Sequence, residues 1–334
     1  MDEDLAGKYE GQELVVQVWP GSYEEVYSEQ VFGPFEELTG ADIIAASTFE
    51  FFTLARLEEE VASGDPQLDV SVMLPSDVVR AAEQGLLEPI SEENVPNVAK
   101  LRPESNALLP DGVGYLVYTY GFGYHTDIEE DLGFVPSCWE DLWDPRLEGS
   151  IVTGRFQAPY TVQSINMMLR GELSPVQEDV WEKLSELNPN IHSLHDSPAG
   201  MEDALVRKDA YVAIVFDGRI WTMADAGVPV EYVLPCEGTY GNQDFFSIVK
   251  GTRNLELAYD FVNFTLAEES QARIAEHLHY GPTNTSVELT EEQASRAIYG
   301  DDWNQIQMED YEYAAANTDE WTDLWNEWVA SLGG

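Results

Sequence analysis

The sequence predicts an α/β protein of two lobes, each a mixed sheet flanked by helices. Short β-branched apolar runs alternate with amphipathic stretches from Leu14 onward, the β-α-β-α-β-α rhythm of a doubly wound sheet. At about 150 residues per domain, a chain of 334 residues divides naturally into two. The stretch Tyr211–Lys250 also reads as strand, helix, strand, polar loop and strand. Two strand ends and one loop converge there on Phe216, Asp217, Asn242 and Asp244, and strand carboxyl ends are where open α/β sheets place ligands. Asp217 serves either as a residue facing that site or as the cap of the helix after it. We read the stretch as one wall of a binding cleft and as the chain's return crossing between lobes.

The elements follow in order. Leu14–Trp19 is a first strand with Trp19 at its carboxyl edge, and Tyr23–Leu38 has helical spacing of Val26, Phe32, Phe35 and Leu38, closed by Gly40. Ala41–Ala46 is a second strand, Phe51–Ser63 an amphipathic helix, Leu68–Leu74 a third strand, and Val78–Gln84 a helix after the turn Pro75-Ser76-Asp77. Gly114–Tyr124 is a long extended segment whose Gly121 and Gly123 suit a crossing from one lobe to the other. Ser137–Trp143 reads as a short helix with Ser137 and Glu140 as its capping box. A strand at Gly149–Thr153 meets a helix at Tyr160–Leu169 through Gly154-Arg155, and further helices are expected at 181–187 and 200–208. Later helices fall at 255–266, 268–275 and 291–299, and Trp321, Trp325 and Trp328 share one face of a C-terminal helix at 318–332, a packing face. The lobes expected are 1–118 with 245–284, and 119–244, with 285–334 a helical segment packing back on them.

Composition sets the setting. Sixty-three acidic residues face 16 basic ones, for a net charge of −47, spread along the chain and not gathered in a tail. A hydrophobic content of 44% supplies full cores, so disorder does not explain the charge. Such self-repulsion is tolerable where the Debye length falls to roughly 3 Å, in molar salt, and a halophilic source is expected. Nucleic acid is an unfavourable partner on the same grounds. Cys138 and Cys236 either pair, if their Cα atoms approach within about 7 Å, or remain two buried thiols. No apolar run approaches the ~20 residues of a membrane span. Met1-Asp-Glu-Asp is no signal peptide, and an export signal or lipid anchor is expected outside this sequence.

Several segments, in order and at corresponding places, resemble the extracellular solute-binding proteins of ABC importers, in particular the spermidine/putrescine branch. They are the first strand ending in Trp19, Phe35-Glu-Glu-Leu-Thr-Gly40, Asp69 before Pro75-Ser76, and Gln84-Gly85-Leu-Leu. Trp139-Glu-Asp-Leu-Trp-Asp-Pro145, Asp217-Gly218, Ala226-Gly227-Val-Pro229, Glu237-Gly238, Asp244 and Tyr280 with Pro282-Thr283-Asn284 complete the set. The resemblance implies a periplasmic-binding-protein fold with a hinge and an inter-lobe cleft, one small ligand, no cofactor and no catalysis. A membrane permease and its ATPase are the implied partners of a monomer at the outer cell surface. Trp19 matches an aromatic of the ligand site, Asp244 the carboxylate that receives an amine, Tyr280 an aromatic at the rim, and Phe216 stands for a tryptophan. Tyr23 joins the ligand set, as do Ser76, where the family has a tyrosine near Pro75, and Asn242, in the segment where it has an aromatic before Asp244. Where an acidic pair is expected after the Gly149 strand, the chain has Thr153-Gly154-Arg155. Arg155 suits a ligand carboxylate or phosphonate through a bidentate fork, so a zwitterion stands as the alternative to a polyamine. For each residue a structural role competes: Trp19 as a core aromatic, Asp244 as a loop cap, Arg155 as a surface ion pair.

The remaining patterns point elsewhere weakly. His192-x-x-His195 lacks a third ligand at fixed spacing, which disfavours zinc, and Tyr311 with Tyr313 imitates an iron site only in outline. No nucleophile elbow, Walker A, dinucleotide fingerprint or His-Glu-x-x-His occurs, so hydrolysis by paired carboxylates is the different-class alternative and a non-enzyme the expectation.

Overall fold

The computed structural model describes residues 2–47, 54–105, 107–109 and 111–332. The chain divides into two compact units, Met1–Val117 with Gln243–Gln293, and Tyr118–Asn242 with Ala294–Gly334. The chain passes between them after Val117, Asn242 and Gln293, so the segment from Ala294 onward belongs to the second unit.

The first unit opens with β1 (Glu13–Val18). The helical run behind it, α1 (Ser22–Thr39), is not one continuous α-helix as its spacing implies: Ser22–Tyr27 and Gly33–Thr39 are α-helical and Ser28–Phe32 is a π-turn. Pro34 is the cause. Proline has no N–H for the carbonyl four residues back, Gln30, and the Arg273 guanidinium Nε takes that carbonyl instead at 2.8 Å. β2 (Asp42–Ser47), α2 (Leu54–Ala62), β3 (Val70–Met73) and α3 (Pro75–Glu83) continue the alternation. Phe51, Phe52 and Thr53, the expected start of α2, lie outside the described residues.

Next comes β4 (Gly112–His125), fourteen residues of which only Tyr124 is not buried. Its glycines do not break it. A Cβ at Gly112, Gly114, Gly121 or Gly123 would come under 3.0 Å from Val78, Gln243, Tyr232 or Ile220, so a larger residue at any of them forces its neighbour to shift. The second unit continues with β5 (Ile151–Gly154), α4 (Ala158–Arg170), α5 (Asp179–Glu186), β6 (Ile191–His195), α6 (Pro198–Val206), β7 (Val212–Phe216), α7 (Asp217–Asp225) and β8 (Val230–Val233). β9 (Thr239–Val249) corrects an expectation. The stretch read as a polar loop is mostly strand, and all eleven residues of β9, Asn242, Gln243 and Asp244 among them, are buried. α8 (Leu255–Thr265) and α9 (Glu268–Leu278) return to the first unit; β10 (Ile306–Met308) and α10 (Tyr311–Leu332) end the second. The helix expected at 291–299 is confined to Glu291–Ala294.

Within the first unit β1 is parallel to β2 (Glu13 opposite Asp42) and to β3 (Val16 opposite Val70), and β9 runs antiparallel to β3 (Phe245 opposite Met73). Asp69, 4% exposed, locks this sheet. Its carboxylate accepts the Val15 N–H at 2.8 Å and bonds from the Thr252 hydroxyl and the Asn254 amide. Phe35, Phe261, Phe264 and Phe246 fill the core edge to face, with Phe32 tilted against Phe261. In the second unit β4 pairs antiparallel with β7 and β8, β7 is parallel to β5, and β5 to β6.

Cys138 and Cys236 form a disulfide, their Cα atoms 4.7 Å apart. The expected α-helix beside it is a 3-10 turn, Trp139–Trp143. Its start is capped by Asp141, which accepts the Ser137 and Cys138 N–H groups, and by Glu237, which accepts those of Trp139 and Glu140. Glu140 plays no part as acceptor there, because the turn's tighter pitch brings Asp141 back over the end. On α10, Trp321, Trp325 and Trp328 face Ala158, Val162 and Ile165 of α4. The Trp325 indole donates to the Arg155 carbonyl at 2.8 Å and the Trp328 indole to Asn188 Oδ1 at 2.7 Å.

Trp325→Ala empties a fully buried site and strands the Arg155 carbonyl; a loss of about 3–5 kcal/mol in chemical unfolding is expected. Cys138→Ser opens a loop of 98-residue separation and costs roughly 2–4 kcal/mol in the same measurement.

Candidate functional site

The residues singled out in the sequence fall into two sets, one in each unit. In the first unit, β1 delivers Trp19 just past its carboxyl end and β9 delivers Asp244 from within the sheet. The Trp19 indole Nε1 donates to Asp244 Oδ2 at 2.9 Å, and Asp244 is only 5% exposed. Asp244 is therefore a strand residue inside the unit, not a loop cap. Tyr23, from the first turn of α1, bonds hydroxyl to hydroxyl with Tyr115 of β4 and stacks on Tyr27 with ring centroids 4.6 Å apart. Tyr115 in turn stacks on Phe246 at 4.0 Å. Burial pushes the phenols of Tyr23, Tyr27 and Tyr115 well above the ordinary tyrosine range, and the negative charge of Asp244 pushes each further. All three stay neutral at physiological pH, offering hydroxyl dipoles and ring faces around one carboxylate. Tyr280, 8% exposed, sits beside the Gly281–Val117 bridge and acts electrostatically on Tyr27. Ser76 lies half-buried in the first turn of α3.

In the second unit, β7 ends at Phe216 and α7 begins at Asp217. Phe216 sits edge-on against Tyr118, Tyr120 and Tyr160, at 5.0, 5.5 and 5.2 Å. Asp217, 3% exposed, turns inward: Oδ2 accepts the Thr119 N–H at 3.0 Å and the Thr119 hydroxyl at 2.7 Å, and Oδ1 accepts the Gly218 N–H at 2.8 Å. It thus ties α7 to β4. Burial pushes its carboxyl up to about 7 even though those hydrogen bonds pull the other way. Asn242, 2% exposed, donates to the Tyr240 hydroxyl at 3.0 Å and to Glu309 at 3.2 Å. Arg155 stands apart from these. It is half exposed, and its guanidinium pairs at 3.2 Å with Asp196, itself 90% exposed.

Tyr27, Tyr115, Thr119, Tyr240 and Glu309 escaped the sequence reading. Tyr115 and Thr119 were within reach: they alternate along β4 at the period of two that puts residues on one strand face. Glu309 carried no signal, one acid among 63.

A carboxyl held neutral by burial makes folding proton-linked. Asp217 titrates near 7 in the fold against about 4 in the unfolded chain, so its neutral form is favoured by folding. Its contribution is greatest at acid pH and is lost as pH rises towards 7, by roughly 4 kcal/mol at most. Asp217→Asn, which keeps an acceptor for Thr119, is expected to lose less stability than the wild type between pH 5 and pH 8 when both are unfolded in urea.

Among the described residues no helix is long and apolar enough to cross a membrane. A family model described as bacterial extracellular solute-binding protein matches residues 30–300. The gamma-aminobutyric acid-binding protein of Pseudomonas aeruginosa is 24% identical over 84% of this chain and 79% of its own length. The putrescine-binding periplasmic protein PotF of Escherichia coli is 26% identical, over 76% and 74%. The crystal structure of an ABC transporter substrate-binding protein from Bradyrhizobium japonicum, 21% identical, superposes with a TM-score of 0.84 over 96% of this chain and all of that one. That likeness shows the α/β periplasmic-binding-protein fold, and the relatives are binding proteins, not enzymes. The chain belongs to the bacterial extracellular solute-binding protein family, whose members are the substrate-binding components of ABC importers.

Proposed function

We propose that this protein captures a small solute bearing at least one ammonium group, a polyamine such as putrescine or spermidine, and hands it to a membrane permease. The observation that supports this most is Asp244, a buried carboxylate oriented by the Trp19 indole and bordered by neutral tyrosines. An ammonium brought to it gains a charge-assisted hydrogen bond, and an adjacent ring face adds about 0.5–2 kcal/mol. The two relatives named for gamma-aminobutyric acid and for putrescine share an amine as the common chemistry of their solutes. The disulfide suits an oxidising setting outside the cytoplasm, where a monomer would serve.

A second reading rests on Arg155. Its partner Asp196 is almost fully solvated, so little is lost when the guanidinium exchanges it for a solute carboxylate. The acid group of a zwitterion such as gamma-aminobutyric acid would then suit Arg155.

Calorimetric titration with putrescine, spermidine and gamma-aminobutyric acid in molar KCl separates the two. Asp244→Asn is expected to weaken binding by about 2–4 kcal/mol, roughly 30- to 700-fold. Undiminished affinity in that variant would end the amine reading. Arg155→Ala should leave the polyamines untouched and weaken only a zwitterion. The charge of −47 further supports a halophilic setting, and the thermal midpoint is expected to fall steeply as KCl drops from molar to 0.1 M.

A further inference from the structure

Glu309 is a carboxylate the solute reading does not use. It lies between β10 and α10, is 4% exposed, and touches two other elements of the second unit. From α4, Gln163 Nε2 donates to Oε1 at 2.7 Å. From β9, Asn242 Nδ2 donates to Oε2 at 3.2 Å, and the Tyr240 hydroxyl adds a third bond. The other titratable groups facing this cluster are Tyr160 on α4 and Tyr311 and Asp310 on its own segment, and among the described residues no Lys, Arg or His pairs with it. Every partner is neutral or acidic.

That donor set fits only one protonation state well. An ionised carboxylate accepts from all three partners at once. The neutral acid must donate from one oxygen; the two amides present N–H groups that cannot accept, and the Tyr240 hydroxyl accepts only by turning its own proton away from Glu309. Gln163 Oε1, buried without a hydrogen-bond partner, is the one amide oxygen nearby that a proton on Glu309 would reward, and reaching it requires the Gln163 amide to turn. Burial favours the neutral acid while the donors favour the ion, and the balance puts the carboxyl at about 7.

We propose that Glu309 is a positioning residue for Asn242, gripping β9 and α4 to the start of α10 when ionised and loosening that grip when it takes up a proton. Asn242 lies two residues before Asp244 on the same strand. The inference goes beyond the solute reading and stands or falls without it.

The test uses the full chain, without ligand, in molar KCl. With 13C-labelled glutamate, one carboxyl resonance should titrate near neutral pH and vanish from the spectrum of Glu309→Gln. The Asn242 side-chain amide resonances should shift with the same midpoint in the wild type and stay flat in the variant. Because burial of the charge outweighs what its three donors return, the thermal midpoint of Glu309→Gln, relative to wild type, should be higher at pH 8.5 than at pH 5.5 by about 2–6 °C. An Asn242 amide indifferent to pH between 5.5 and 8.5, or no glutamate titrating near neutral, overturns the proposal. The wild-type titration alone decides this if the variant does not fold.

Discussion

Cations are scarce in this chain, and the interior is arranged around that shortage. Sixteen basic residues serve 63 acidic ones, and among the described residues no Lys or Arg side chain is buried. The carboxylates that do go inside are therefore held by neutral donors. Asp69 takes a backbone N–H, a hydroxyl and an amide; Asp217 takes two backbone N–H groups and a hydroxyl; Glu309 takes two amides and a phenol. Neutral donors offset only part of the cost of burying a charge, which is why Asp217 and Glu309 both move to about 7. The surface follows the opposite logic: the few cations sit there in solvated pairs such as Arg155 with Asp196 and Lys8 with Asp260, where each contributes little.

Legibility in the sequence follows apolar periodicity. The alternation of strands and helices in the first unit was readable because its apolar periodicity is unmixed. The stretch before Phe245 reads as a loop in the sequence because Asn242-Gln243-Asp244 is polar, and polarity ordinarily marks exposure. Here those side chains are buried, where hydrogen bonds stand in for apolar contact. Pro34 marked the interruption of α1, but spacing alone could not show that Arg273, far along the chain, would take the freed carbonyl.

Of the candidate site, the sequence places Trp19, Tyr23 and Asp244 in one ligand set; the structure joins Trp19 to Asp244 through the indole bond, and Tyr23, stacked on Tyr27, feels the Asp244 charge. Phe216 and Asp217 were also found as neighbours, yet Asp217 spends both oxygens within its own unit. Arg155 was drawn toward the site by its position after a strand, a pattern that says nothing of where a long side chain ends. Tyr27 and Tyr115 went unnoticed because aromatic residues at helix and strand spacing read as core, which they also are.

Of the four crowded glycines of β4, Gly114, Gly121 and Gly123 show how the strand constrains variation. Every glycine codon begins with the same two bases, and any change in either gives a residue with a Cβ or a stop. Gln243, Tyr232 and Ile220 would each have to shift to make room for that atom. Gly114, Gly121 and Gly123 are thus silent only at the third base, and neutral drift reaches them only after the facing residue has first become smaller.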